Sequence, residues 1–184
     1  MTTVNKIKWT PMHNHPGTYF TLLLLALLAF GCDPEPTRQV TSINVEDWGK
    51  RQVPMPPEDS LLAGSTYLSS YSKIYTKSEI STLGLTGTIS MRNINLTDTI
   101  YIERAHYHQT DGKQIRNYFD KPIYIAPLET VEIIITEEDV EGGTGDSFVF
   151  NWRKPTGTHD PFFEGVFIST YGRVSFTTRG IRIE

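Results

Sequence analysis

Two histidines two residues apart, in Ala105-His106-Tyr107-His108, are the most ligand-like pair in the chain. On an extended strand, residues i and i+2 share a face, so His106 and His108 project together, with Arg104 one step further along. Two imidazoles on one face can begin a zinc or copper site. A third ligand, from His159 or Asp160, would have to be brought in by the fold. Arg104 adds positive charge where a cation would sit. His106 and His108 are therefore weak metal candidates, and the alternative is an exposed sheet face with two solvated histidines.

A second cluster is acidic. "EEDVEGGTGD" gathers Glu137, Glu138, Asp139, Glu141 and Asp146 around three glycines. Calcium takes six to eight oxygen ligands, often from such loops. The spacing departs from the D-x-[DN]-x-[DN]-G pattern. A long hairpin loop with glycines at positive φ explains the composition equally well. The loop is a poor phosphate cradle, because it has no lysine and its acids repel anions. A third candidate is "YLSSYSKIY", which puts Tyr67, Tyr71 and Tyr75 on one face if it forms a continuous strand. Rings with polar tips suit a protein or sugar surface, and they also suit half-buried packing. No G-x-S-x-G occurs and no acid–base pair stands out. Neither a catalytic residue nor a bound cofactor is assigned from the sequence.

The elements that would position these side chains are short strands. "LGLTGTISMRN" places Leu83, Leu85, Gly87, Ile89 and Met91 on one face. "TVEIIIT" does the same with Val131, Ile133 and Ile135, and "SFVFNWR" with Phe148, Phe150 and Trp152. Period-two alternation of this kind is the mark of a half-buried strand. "IYIERAHYHQ" is a further strand, ended by the turn signal Asp111-Gly112. "IYIAP" stops at Pro127. "GVFIST", "RVSFTT" and "IRI" follow, separated by Gly172 and Gly180. No segment shows sustained helical periodicity with caps. The expected fold is all-β, an antiparallel β-sandwich of immunoglobulin-like type over residues 61–184. The Cys…Trp…Cys spacing of a true immunoglobulin domain is absent.

The N-terminal region reads as an address. Leu22 to Phe30 is uninterrupted by polar residues, follows Lys6 and Lys8, and has no acidic residue before Asp33. A spanning helix needs about 20 apolar residues, whereas a short apolar core after a basic start describes a signal peptide. Ala29-Phe30-Gly31-Cys32 resembles the lipobox of bacterial lipoproteins. That resemblance implies cleavage after residue 31, a diacylglycerol on the sulfur of Cys32, and acylation of the new amino group. Two or more acyl chains are what stable anchoring requires. Cys32 is the sole cysteine, so lipidation leaves no disulfide, no thiolate metal site and no cysteine nucleophile. Removing Lys6 and Lys8 from the 17 basic residues leaves 15 against 21 acidic, a net charge of −6. That balance disfavours nucleic acid as a partner. Residues 32–60, with five prolines and few apolar side chains, read as a lipidated N-terminus and extended tether.

Taken together, "YSKIYTKSEISTLGLTGTISMRN", "YHQTDGKQIRNYFDKPIYIAPLETVE", "DVEGGTGDSFVFNW" and "VSFTTRG" resemble a family of bacterial exported proteins called domain of unknown function 3124. The resemblance runs from Tyr67 to Ile183. Its most specific parts are the turn Pro127-Leu128-Glu129-Thr130 and the glycine loop from Gly142 to Gly145 leading into Phe148 and Trp152. It implies a place in the cell envelope and no activity. The expectation is a lipid-anchored envelope protein that binds a partner, whether protein or glycan, without catalysis. A metal- or calcium-binding module is the alternative, and an envelope hydrolase with an unrecognised site the third. Asp33 after Cys32 fits sorting signals that differ between bacteria, so the inner and outer membrane both remain open.

Overall fold

The computed structural model describes residues 47–184. The expected signal peptide, Cys32 and the expected tether up to residue 46 lie outside the described residues. The described chain forms an α-helical turn α1 (Trp48–Arg51), a 3₁₀ turn (Glu58–Ser60) and twelve strands. These are β1 (Leu61–Ser70), β2 (Lys73–Tyr75), β3 (Thr82–Gly84), β4 (Thr86–Arg92), β5 (Ile100–His108) and β6 (Gln114–Asn117). They continue with β7 (Ile123–Ile125), β8 (Thr130–Ile135), β9 (Asp146–Pro155), β10 (Phe162–Ser169), β11 (Val174–Arg179) and β12 (Ile181–Arg182). No described helix is long and apolar enough to cross a membrane.

The strands form the expected antiparallel sandwich. One sheet runs β12-β1-β9-β5-β6, with β7 also on β5, and the other runs β11-β10-β4-β8. Alternation in the sequence becomes burial in the structure. Ile89, Met91, Val131, Ile133, Ile135, Phe148, Phe150 and Trp152 are all buried between the sheets. An aromatic ladder crosses the core: Tyr107 stacks on Phe148 at 4.7 Å, Phe148 on Phe150 at 5.5 Å, and Phe150 on Phe163 of the facing sheet at 4.3 Å. Offset stacks of this kind add about 0.5–1.5 kcal/mol each beyond area burial.

Two glycines set this geometry. Gly64 pairs with Trp152 across β1 and β9, and a Cβ there would lie 2.3 Å from the indole ring. Its bare backbone lets the ring lie flat, and the indole N–H donates to Thr66 Oγ1 at 2.9 Å. Gly180 separates β11 from β12 and lets one stretch of chain leave the β10 sheet and join β1. A Cβ on Gly180 would meet Thr66 Cγ2 at 2.7 Å and Phe163 Cβ at 3.0 Å.

The described part of the expected tether is partly docked. The Trp48 ring meets Phe119 at 5.2 Å, Arg51 pairs with Glu129 at 2.8 Å, and Val53 N–H donates to Pro122 O at 3.1 Å. Trp48 supplies the apolar anchor that the proline-rich composition conceals.

The topology gives the sandwich two distinct ends. The links β4–β5, β7–β8 and β9–β10 cross between sheets at one end. The links β1–β4, β5–β6 and β8–β9, with the β10–β11 turn, lie at the other.

Candidate functional site

The acidic glycine loop closes the second end, with Asp139, Glu141 and Asp146 engaged within the fold. Asp139 and Glu141 each pair with Arg116 at 2.8 Å. The Arg116 guanidinium also lies 5.6 Å from the centre of the Tyr107 ring. Asp146 is buried; its carboxylate accepts from Ser70 Oγ, from the Ser72 N–H at 2.7 Å and from Tyr107 Oη at 3.1 Å. Burial pushes the Asp146 carboxyl above its usual range, against the pull of those hydrogen bonds. Burial, with the Asp146 charge beside it, pushes the Tyr107 phenol far up as well. Gly142 packs against this network so closely that a Cβ would sit 2.0 Å from Tyr107 Oη. Gly143, at φ +96°, donates its N–H to Ser72 Oγ at 2.8 Å. The loop is a clasp between β1 and β9, and no group of three potential metal ligands exists among the described residues.

His106 and His108 do share the outer face of β5, with ring centres 6.3 Å apart. Burial, then the charges of Arg104 and His108, holds the His106 imidazole below its usual range, so the fold favours its neutral form. His159 and Asp160 do not join them. His159 N–H donates to Asn95 Oδ1 at 2.7 Å, and Asp160 pairs with Lys154 and Arg182 at 3.1 and 2.9 Å.

The three tyrosines are not on one strand. β1 ends at Ser70, where the chain turns to give Ser72 to Asp146. Tyr71 packs edge-on against Phe167 and Phe176 at 5.9 and 5.5 Å, while Tyr67 and Tyr75 stay exposed. The same break separates Ser70 from Lys73. These have the S-x-x-K spacing of some serine hydrolases, but the Ser70 hydroxyl is buried against Asp146.

The first end holds a feature that no sequence motif announces. Asn93 and Asn95 are buried in the β4–β5 link and stitch all three crossing loops together. Asn93 Nδ2 donates to Asp98 O at 2.7 Å and to Ile125 O at 3.0 Å. Asn95 Nδ2 donates to Asn93 Oδ1 at 2.9 Å and to His159 O at 3.1 Å. Leu128 N–H donates to Asn95 O at 3.2 Å. On this fixed base stand Ile94, Leu96 and Leu128, which are 46%, 78% and 65% exposed.

Leu128 is the most informative of them. It occupies the third position of a turn closed by Glu129 N–H to Ala126 O at 3.1 Å, after Pro127, and its φ is +59°. Turns with proline second and positive φ third ordinarily take glycine or asparagine there. A branched side chain in the left-handed region costs about 1–2 kcal/mol. The turn tolerates this because Glu129 is pinned, accepting from Ala126 N–H and from Arg51 Nη1, both at 2.8 Å. The only sequence signal for the platform is Asn-Ile-Asn-Leu directly after a strand and a Pro-Leu turn where Pro-Gly is the norm.

Beside Ile94, a cleft of about 480 Å³ opens between the β9–β10 loop and the end of β11. The Arg179 guanidinium lies over Phe162 on its wall, 4.9 Å from the ring centre, and Arg182 over Trp152 at 5.0 Å.

Comparison with known proteins bears on the whole described domain. The model of the family described as "Protein of unknown function (DUF3124)" matches residues 63–183. No curated protein matches the chain. Among solved structures, "Crystal Structure of Thermotoga maritima 1070" is similar at 11% identity and a TM-score of 0.41, covering 64% of this chain and 92% of that one.

Proposed function

The chain belongs to the DUF3124 family, and from that premise we propose that it is a lipid-anchored, non-catalytic binding module of the bacterial cell envelope. Its partner is a protein that docks on the platform of Ile94, Leu96 and Leu128. The observation that carries this reading is Leu128: an exposed leucine held at positive φ, where glycine would serve the fold better. Strained, exposed positions on rigid scaffolds concentrate at functional sites. Aliphatic side chains in water favour a protein partner over a glycan, which is met by aromatic rings. The anchor is supported by Cys32 at the end of the apolar segment and by the absence of any other cysteine.

Two measurements test the reading. Cys32→Ala releases the protein from membranes on cell fractionation. Chemical crosslinking in cells captures a stoichiometric partner with the native chain and loses it with Leu96→Ser/Leu128→Ser, which leaves the fold intact. A partner retained by that double variant removes the platform from the account. Reproducible turnover of an envelope substrate, abolished by one side-chain change, removes the non-catalytic reading.

A further inference from the structure

We infer that the cleft beside the platform recognises a carboxylate on the docking protein, so that the partner segment is acidic as well as apolar. The inference rests on the loop platform being the binding face and adds the chemistry read there. Ile94 lines both the platform and the cleft, so one bound segment can touch aliphatic groups and cleft wall together.

Arg179 is the anchor. Its guanidinium lies over the Phe162 ring, 4.9 Å from the ring centre, and both residues line the cleft. Among the described residues, no hydrogen bond or ion pair occupies this guanidinium. Glu164 faces Arg179 across β10 and β11 but pairs instead with Arg92 at 3.5 Å. A planar fork with unused donors matches a carboxylate bidentately, and stacking prepays part of its ordering. The other cationic groups of the cleft already have partners. Arg182 and Lys154 are engaged by Asp160 at 2.9 and 3.1 Å, and Arg182 Nε also donates to Glu184 O at 2.6 Å. The cleft thus keeps unused guanidinium donors at Arg179, with the neighbouring Glu164 engaged by Arg92. A carboxylate on the partner matches those donors.

The test is an NMR titration of the full chain in detergent micelles, following the Arg179 Nε–Hε and the amides of His159, Asp160, Phe162 and Phe163. The probes are acetyl-Asp-Leu-amide, its uncharged counterpart acetyl-Asn-Leu-amide, inorganic phosphate, and phosphatidylglycerol vesicles. The expected result is saturable shifts with the aspartyl probe and affinity at least tenfold weaker with the asparaginyl probe. Arg179→Gln abolishes the response, Arg179→Lys leaves it intermediate, and Arg104→Gln, on the opposite sheet, leaves it unchanged. Equal response to both peptides, an unaltered titration in Arg179→Gln, or no response to any probe overturns the inference. So does a response to phosphate or vesicles alone, which would make the cleft a small-anion or lipid-headgroup site. Crosslinking lost in Leu96→Ser/Leu128→Ser but retained in Arg179→Gln would sink the carboxylate inference and leave the binding module standing.

Discussion

Replacing Asp146 separates two roles that its buried carboxylate combines. Three donors converge on it: Ser70 Oγ, the Ser72 N–H and Tyr107 Oη. Alanine strands all three, and a buried donor without an acceptor costs about 1–3 kcal/mol. The two hydroxyls can rotate toward other acceptors, but the Ser72 N–H cannot. The expected loss for Asp146→Ala is about 4 kcal/mol, or roughly 10–20 °C in a domain of this size. Asparagine behaves differently. Its carbonyl replaces Oδ2, which accepts from Ser72 and Tyr107, and its NH₂ replaces Oδ1, where the Ser70 hydroxyl reverses and accepts. The cost falls to about 1 kcal/mol.

The pH dependence gives the sharper readout. The Asp146 carboxyl is raised in the folded state above its ordinary 3.8, so the folded protein holds this proton to higher pH than the unfolded chain. Its stabilising contribution is complete below pH 3.8 and is lost as pH rises through the raised value. Relative to Asp146→Asn, the native protein therefore loses stability on going from about pH 4 toward neutrality. Thermal unfolding followed by circular dichroism at several pH values measures the difference. A native protein that gains stability over Asp146→Asn as pH rises would refute the reasoning, because it would mean that the hydrogen bonds outweigh burial.

Other positions give independent checks. Leu128→Gly relieves the positive φ and raises stability by roughly 0.5–1 kcal/mol in urea unfolding, while weakening partner capture. Asn95→Ala removes the stitch among three loops, and hydrogen exchange accelerates at residues 94–98, 126, 128–129 and 158–160 with little change at β5 or β9. Gly64→Ala forces the buried Trp152 ring to move and lowers the urea midpoint by the equivalent of about 2–3 kcal/mol.

The sheets were legible because burial on one face imposes a strict period of two. Val131, Ile133 and Ile135, and likewise Phe148, Phe150 and Trp152, could be assigned to the core without coordinates. The tyrosine row failed where its premise failed: a pattern that continues through Tyr71 cannot show that Ser72 is drawn aside by Asp146, seventy-four residues away. The acidic loop looked like a cation site because composition does not show that Arg116 supplies the compensating charge. The platform was the least legible part. It depends on loops around residues 94, 128 and 159 meeting through two asparagines. Its clearest signal, leucine after proline in a turn, becomes informative only when φ is known.

The most direct test of the binding-module account is a photoreactive amino acid placed singly at position 96 or 128 in the full chain expressed in cells. Position 106, on the outer face of β5, serves as the comparison. The account predicts one discrete crosslinked protein from positions 96 and 128 and none from position 106. Equal crosslinking at all three positions, or crosslinking confined to position 106, would contradict it.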